Sequence, residues 1–257
     1  MSGHHHDSKT VGIIGGMGPE ATVDLMQRVI NATPASDDAD HIRMLVDNNP
    51  KVPSRIKALI EGTGENPAPC MAEMARGLER QGSDFLVIPC NTAHHYYPDV
   101  AAAVEIPVLN LVELTANHVK QQQPGIRKVG LLASTALQLI HLYEPWFEKL
   151  NVELVYPEPA DQSQIMELIR AVKAKSHSEQ QLEAYARAAE KLAAQGAECL
   201  VIACTELSVI ADRVNFLLPA YDAADILARA IVREAQGGAG GQSGAAMTNR
   251  DDESWRF

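Results

Sequence analysis

The stretch Gln81-Gly82-Ser83-Asp84-Phe85-Leu86-Val87-Ile88-Pro89-Cys90 recurs 114 residues later as Gln195-Gly196-Ala197-Glu198-Cys199-Leu200-Val201-Ile202-Ala203-Cys204. In each copy a Gln-Gly pair suited to the end of a helix leads into an apolar run suited to a buried strand, and the strand delivers a cysteine. A hydroxyl residue follows both times, Thr92 after Cys90-Asn91 and Thr205 directly after Cys204. The openings correspond as well: Thr10-Val11-Gly12-Ile13-Ile14-Gly15 is echoed 118 residues on by Lys128-Val129-Gly130-Leu131-Leu132-Ala133. Two pairs of segments in the same order at nearly equal displacement describe a duplicated fold.

Short Val/Ile/Leu runs alternate with amphipathic stretches almost throughout, the pattern of strand-helix-strand units and a parallel sheet covered on both faces, so the fold class is α/β. Strands are predicted at 11–15, 42–46, 85–89, 108–110, 128–133, 152–156, 199–203 and 216–218, four to each half. Helices at 71–81 and 184–195 precede the two cysteine strands, with Gly82 and Gly196 at their C-caps. The expected division is a first α/β domain over 10–112 plus 215–236 and a second over 113–214. Residues 1–9, with His4-His5-His6, read as a tag-like or disordered lead, and 237–257 as a flexible Gly-rich tail whose Trp255 and Phe257 are candidates for docking. Facing the carboxyl ends of two such sheets toward each other makes a cleft with one thiol on each wall.

Composition removes several alternatives. A net charge of -11 and an isoelectric point near 5.3 leave no basic footprint, so no nucleic-acid partner is expected. No apolar run approaches the ~18 residues of a membrane span and no signal peptide is recognisable, which predicts a cytoplasmic protein without membrane contact. Cys70, Cys90, Cys199 and Cys204 form no C-x-x-C pair, so neither a metal site nor a redox disulfide is indicated.

Gly16-Met17-Gly18-Pro19-Glu20-Ala21 fits a dinucleotide fingerprint, but Pro19 removes an N–H donor from the phosphate-facing turn. The better reading is a turn into a helix N-terminus whose free amides hold a carboxylate. Cys90 and Cys204 each end a strand before a helix, where N–H dipoles lower a thiol pKa, whereas Cys199 lies mid-strand and Cys70 has no counterpart. His94 is a candidate to orient the Cys90 thiol. Glu206 beside Cys204 would raise that thiol's pKa by its charge, so if near the sulfur it must be paired or be a proton relay; the preferred reading is a contact to a substrate ammonium or a helix cap. Arg55 can clamp a carboxylate, and Lys173 lies on a predicted helix at 164–175.

Gly15-Gly16-Met17-Gly18-Pro19, Asn48-Asn49-Pro50 leading to Arg55, Cys90-Asn91-Thr92-Ala93-His94 and Cys204-Thr205-Glu206 together resemble the aspartate/glutamate racemase superfamily, on its aspartate racemase branch. The likeness runs from about Lys9 to Ala235. Glutamate racemases usually carry Cys-Thr-His at the second cysteine, so Cys204-Thr205-Glu206 tilts the chain toward aspartate. What the resemblance implies is two pseudo-symmetric flavodoxin-like domains, a small-molecule substrate bound between them, no cofactor, no metal, and a homodimer. It further implies that Cys90 and Cys204 act from opposite faces of the substrate Cα, that Arg55 and Lys173 bind the side-chain carboxylate, and that Asn91, Thr92 and Ala93 line the α-carboxylate site. Met17, Thr135, Thr205 and Glu206 complete the expected pocket. Relatives often have Thr-Gly-Thr where this chain reads Ser134-Thr135-Ala136, which changes one pocket wall. Competing readings are a maleate isomerase, hydantoin racemase or arylmalonate decarboxylase of the same superfamily, a non-catalytic acidic amino-acid binding protein, and a nicotinamide enzyme.

Overall fold

A computed structural model describes residues 8–237. Seven strands among them, β1 (Val11–Gly15), β2 (Met44–Asn48), β3 (Phe85–Val87), β4 (Lys128–Leu132), β5 (Glu153–Val155), β6 (Cys199–Ile202) and β7 (Ala220–Asp222), form two parallel sheets ordered β2-β1-β3 and β5-β4-β6-β7. The first sheet gains a rudimentary fourth member where Leu86 bridges to Val108. There Leu86 N–H donates to Pro107 O at 2.8 Å, and the matching Leu200 N–H donates to Pro219 O at 2.9 Å in the second sheet. Both sheets thus share one doubly wound order. β1, β3 and β6 are buried along their whole length, as central parallel strands under helices on both faces must be.

The helices are α1 (Pro19–Ala32), α2 (Ala68–Arg80), α3 (Tyr97–Ala101), α4 (Leu111–Gln122), α5 (Thr135–Leu139), α6 (Glu144–Lys149), α7 (Pro159–Lys173), α8 (Glu179–Ala194), α9 (Thr205–Ser208) and α10 (Ala223–Ala235). Gly82 and Gly196 cap α2 and α8 with φ of 93° and 91°. Ser83 N–H returns to Leu78 O at 3.2 Å and Ala197 N–H to Leu192 O at 3.0 Å, so both helices hand over to their strands through the same C-terminal motif. Gly12 and Gly130 also correspond: a Cβ would stand 2.5 Å from Leu86 Cδ2 in the first half and 2.9 Å from Leu200 Cδ2 in the second. The repeat therefore extends to side-chain packing.

Each half lends a helix to the other. α4 follows the first half's last strand position, yet Val112, Ala116 and Val119 pack with Val129, Leu131 and Val201 of the second sheet. α10 follows β7 and packs Ala223, Leu227 and Ile231 against Val11, Ile13, Phe85 and Val87 of the first. The two exchanged helices lie against each other. Asn110 caps α4 by accepting from Val112 and Glu113 N–H, and Asp222 caps α10 by accepting from Ala224 N–H. Residues 215–236 consequently divide: β7 extends the second sheet and α10 covers the first.

Several expected strands move. That at 42–46 shifts to Met44–Asn48, with Ile42 left as a buried plug before it. Residues 108–110 give only the Val108 bridge, and 216–218 precede β7, with Phe216 and Leu218 packed on the second core from a loop. Lys9, expected in the lead, is tied to α10: its N–H reaches Ala235 O at 2.8 Å and its Nζ reaches Glu234 at 2.5 Å. Residues 1–7 and 238–257, including Trp255 and Phe257, lie outside the described residues. No helix among the described residues is long and apolar enough to cross a membrane.

Candidate active site

The two matched strands deliver Cys90 and Cys204 to one cavity of about 80 Å³ between the halves. Met17, Ser54, Arg55, Ile56 and Thr92 line it from the first half, and Ser134, Met166, Ile169, Lys173 and Glu206 from the second. Cys204 is the N-cap of α9, and Cys90 stands two residues before the short 3-10 turn Thr92–Tyr96. The walls touch where Thr92 Oγ1 and Ser134 Oγ come within 3.4 Å. Met17 projects from a turn in which Gly16 has φ 89° and passes so close to Asn49 that a Cβ would lie 2.2 Å from its backbone. Thr22 Oγ1 accepts from Gly16 N–H at 2.9 Å and holds that turn against α1.

The thiols have unlike surroundings. Burial pushes the Cys204 thiol well up, and Glu206 adds to this by charge and by accepting the thiol proton at 3.2 Å; Lys173 and the Leu207 amide act in the other direction. Cys90 is also raised by burial, and Glu206 adds to the rise, but its foremost charged neighbour is the Arg55 guanidinium, which opposes it together with the Ala93 amide and Lys173. Ala93 and Leu207 each stand three residues after their cysteine, so the duplicated turns aim equivalent N–H groups at both sulfurs. Burial alone would lower Lys173, but Glu206 and the two cysteines more than offset this and raise it. Its Nζ lies 3.3 Å from Glu206 Oε1. Arg55 is fixed by donating to Pro53 O at 2.9 Å. One anionic and two cationic side chains therefore face a cavity that holds two neutral thiols.

Of the residues read from the sequence, Met17, Arg55, Cys90, Thr92, Lys173, Cys204 and Glu206 meet in this cavity. Ala93 contributes its amide. Asn91 is buried behind the wall, with Oδ1 accepting from Tyr143 OH at 2.5 Å, while its Nδ2 has no hydrogen-bond partner among the described residues. Thr205 is buried in α9 and does not line the cavity. Thr135 is displaced: its Oγ1 accepts from Gln162 Nε2 at 3.2 Å and it faces a separate groove with Gln138 and Arg170, so Ser134 takes the wall expected of it. His94 bonds backbone and not sulfur, at 2.9 Å to Cys90 O and 3.1 Å to Leu111 N. Burial lowers its pKa to about 4, so the ring is neutral. Cys199 is fully buried, its pKa pushed up to about 12 mainly by burial. Ser54, Ile56, Ser134, Met166 and Ile169 were not anticipated, because a helix-and-loop pattern does not reveal which face meets the other half.

The protein is thus a two-lobed parallel α/β fold with one strand-end thiol on each side of an interlobe cavity. The chain belongs to the Asp/Glu/Hydantoin racemase family, whose profile matches residues 14–231. It is 28% identical over 226 residues to the broad specificity amino-acid racemase RacX of Bacillus subtilis (strain 168), covering 86% of this chain and 96% of that protein. Among solved structures it is similar to the Picrophilus torridus aspartate racemase, with 32% identity, a TM-score of 0.75 and coverage of 88% of this chain and 94% of that one. An aspartate racemase homologue from Pyrococcus horikoshii OT3 shares the fold, at 22% identity and a TM-score of 0.70 over 88% of this chain and 99% of its own.

Proposed function

We propose that the chain is a cofactor-independent racemase that interconverts L- and D-aspartate with Cys90 and Cys204 as its two acid/base groups. The observation that carries this is the pair of matched thiols facing one cavity beside Arg55, Lys173 and Glu206. Two cations and one anion suit the two carboxylates and one ammonium of a zwitterionic acidic amino acid, and the net charges are opposite.

Cys90, with Arg55 as its foremost charged neighbour, gives up its proton to solvent to form the active state, while Cys204 remains a thiol that donates to Glu206. The Cys90 thiolate takes the α-proton from one face of Cα while the Cys204 thiol delivers a proton to the other, inverting the centre. Cys90 is then the thiol and Cys204 the thiolate, which is the starting state for the opposite enantiomer. The pair titrates as one coupled unit. A positioned general base supplies only about 10²–10⁴-fold, so stabilising charge on the α-carboxylate must lower most of the barrier. Donors near Thr92, Ala93 and Ser134 are our candidates for this role, each worth about 2.7–4 kcal/mol by analogy with oxyanion-hole groups.

A wider substrate range is the second reading. A neighbouring cavity of about 200 Å³ shares Arg55, Lys173 and Glu206 with the thiol site and adds apolar Pro19, Val172 and Val209, room for a longer side chain. Similarity to a broad-specificity racemase points the same way. A cytoplasmic homodimer belongs to the proposal: the four cysteines are all unpaired, which suits a reducing compartment, and the dimer follows the family resemblance.

Proton NMR of L-aspartate and L-glutamate with purified protein in D₂O, without added cofactor, tests the proposal. Loss of the α-proton signal with appearance of D-aspartate supports it; no exchange with either substrate contradicts it.

A further inference from the structure

We infer that His94 and Ser208 are positioning residues for the two thiols, each coupling its cysteine's turn to the first turn of the helix exchanged between the halves. Both stand four residues after their cysteine, and both touch that cysteine's carbonyl. His94 Nδ1 donates to Cys90 O at 2.9 Å, and Ser208 N–H donates to Cys204 O at 3.0 Å. Their free ends reach equivalent places. His94 Nε2 accepts from the N–H of Leu111, the first residue of α4, at 3.1 Å; Ser208 Oγ donates to Asp222 Oδ1, the cap of α10, at 2.6 Å.

Each turn is also held from the opposite half. Tyr143 OH donates to Asn91 Oδ1 beside Cys90. Arg28 of α1 donates to Ser208 O at 2.8 Å and, through Nη1, to Asp222 Oδ2 at 3.0 Å. All of these groups except Arg28 are buried, so each bond is made in a low-dielectric setting where its loss is not replaced by water. Because α4 and α10 pack on the opposite sheets, the position of one half relative to the other is transmitted to the carbonyl of each cysteine. Two thiols that share one Cα need this, since a displacement of about 1 Å in a reacting group can cost about 100-fold.

The experiment is peptide-resolved alkylation of Cys90 and Cys204 with iodoacetamide in wild type, His94→Gln, Ser208→Ala and Ser208→Thr. The thiols are 8% and 7% exposed, so loosening a turn raises the labelling rate of its own cysteine. Ser208→Ala should speed Cys204 labelling several-fold and leave Cys90 unchanged; His94→Gln should do the reverse; Ser208→Thr, which keeps the hydroxyl, should restore the wild-type Cys204 rate. Aspartate turnover should fall about tenfold or more in Ser208→Ala with KM little changed, and only this kinetic arm rests on the racemase reading. Wild-type labelling of both cysteines in Ser208→Ala, or an equal rise at both, overturns the proposal. Should His94→Gln fail to fold, the serine pair decides alone.

Discussion

The Cys204 thiol donates to one oxygen of Glu206 at 3.2 Å while Lys173 holds the other oxygen at 3.3 Å. The carboxylate thus holds this thiol in its protonated form while pairing with a cation on its other side. Glu206→Gln removes both the repulsion and the charged acceptor. The Cys204 pKa should fall, and its alkylation rate at pH 7.5 should rise. Racemisation should drop by about 10–100-fold, the scale of losing one charged contact to the substrate ammonium. An unchanged Cys204 labelling rate would show that Glu206 does not govern the thiol.

The two sulfurs should ionise in a fixed order. Both are raised by burial and by Glu206, but at Cys90 the Arg55 guanidinium outweighs Glu206, whereas at Cys204 Glu206 outweighs Lys173. Labelling followed against pH should therefore show Cys90 reacting at a lower midpoint than Cys204. The reverse order would reassign which thiol starts as base.

Arg55→Ala should raise KM for aspartate and lower kcat/KM by about 10–100-fold, the loss of a charge-assisted contact of about 1.5–3 kcal/mol. It should also move the Cys90 labelling midpoint upward, because its principal cationic neighbour is gone. Unaltered aspartate kinetics would place Arg55 outside the binding site.

His94 makes a pH-dependent contribution to stability. Burial holds its pKa at about 4, against 6.5 for the exposed ring. Between these values the unfolded chain binds more protons than the folded one, so stability is present above 6.5 and is lost as pH falls through 4. At about 1.36 kcal/mol per pH unit the loss is roughly 3 kcal/mol. Asp222 runs the other way, because burial, only partly countered by Arg28, raises its pKa from 3.8 to about 6 and acidification favours its folded form. Subtracting the urea-unfolding stability of His94→Gln from that of wild type at each pH cancels Asp222. The difference should fall between pH 6.5 and 4; a flat difference would contradict a buried neutral His94.

Much of this was legible in the sequence. Thr10–Gly15 and Lys128–Ala133 carry the same glycine against the same leucine, and the two Gln-Gly pairs carry the same left-handed cap, so the duplication and the central strands could be read from local pattern. The edges were harder: Val108 and Phe216 look like strand residues, yet turn geometry and Pro219 decide where pairing begins. At the site, residues tied to a strand end are the ones whose location local pattern fixes: Cys90 and Cys204 both reach the one cavity. Thr135 is not fixed in this way: at the start of α5 its hydroxyl accepts from Gln162 and Ser134 lines the cavity. Arg28 gave no signal at all. It is one arginine on an amphipathic helix, and only the exchange of α10 brings Asp222 and Asp225 to it.

The central claim is that Cys90 and Cys204 divide one proton transfer between two faces of Cα. Its most direct test is to follow L- and D-aspartate separately in D₂O with Cys90→Ser and with Cys204→Ser, recording α-proton exchange and enantiomeric composition together. Each variant should lose racemisation, and any exchange that persists should be confined to one enantiomer, the opposite one in the two variants. Full racemisation by either single variant would contradict the two-thiol mechanism.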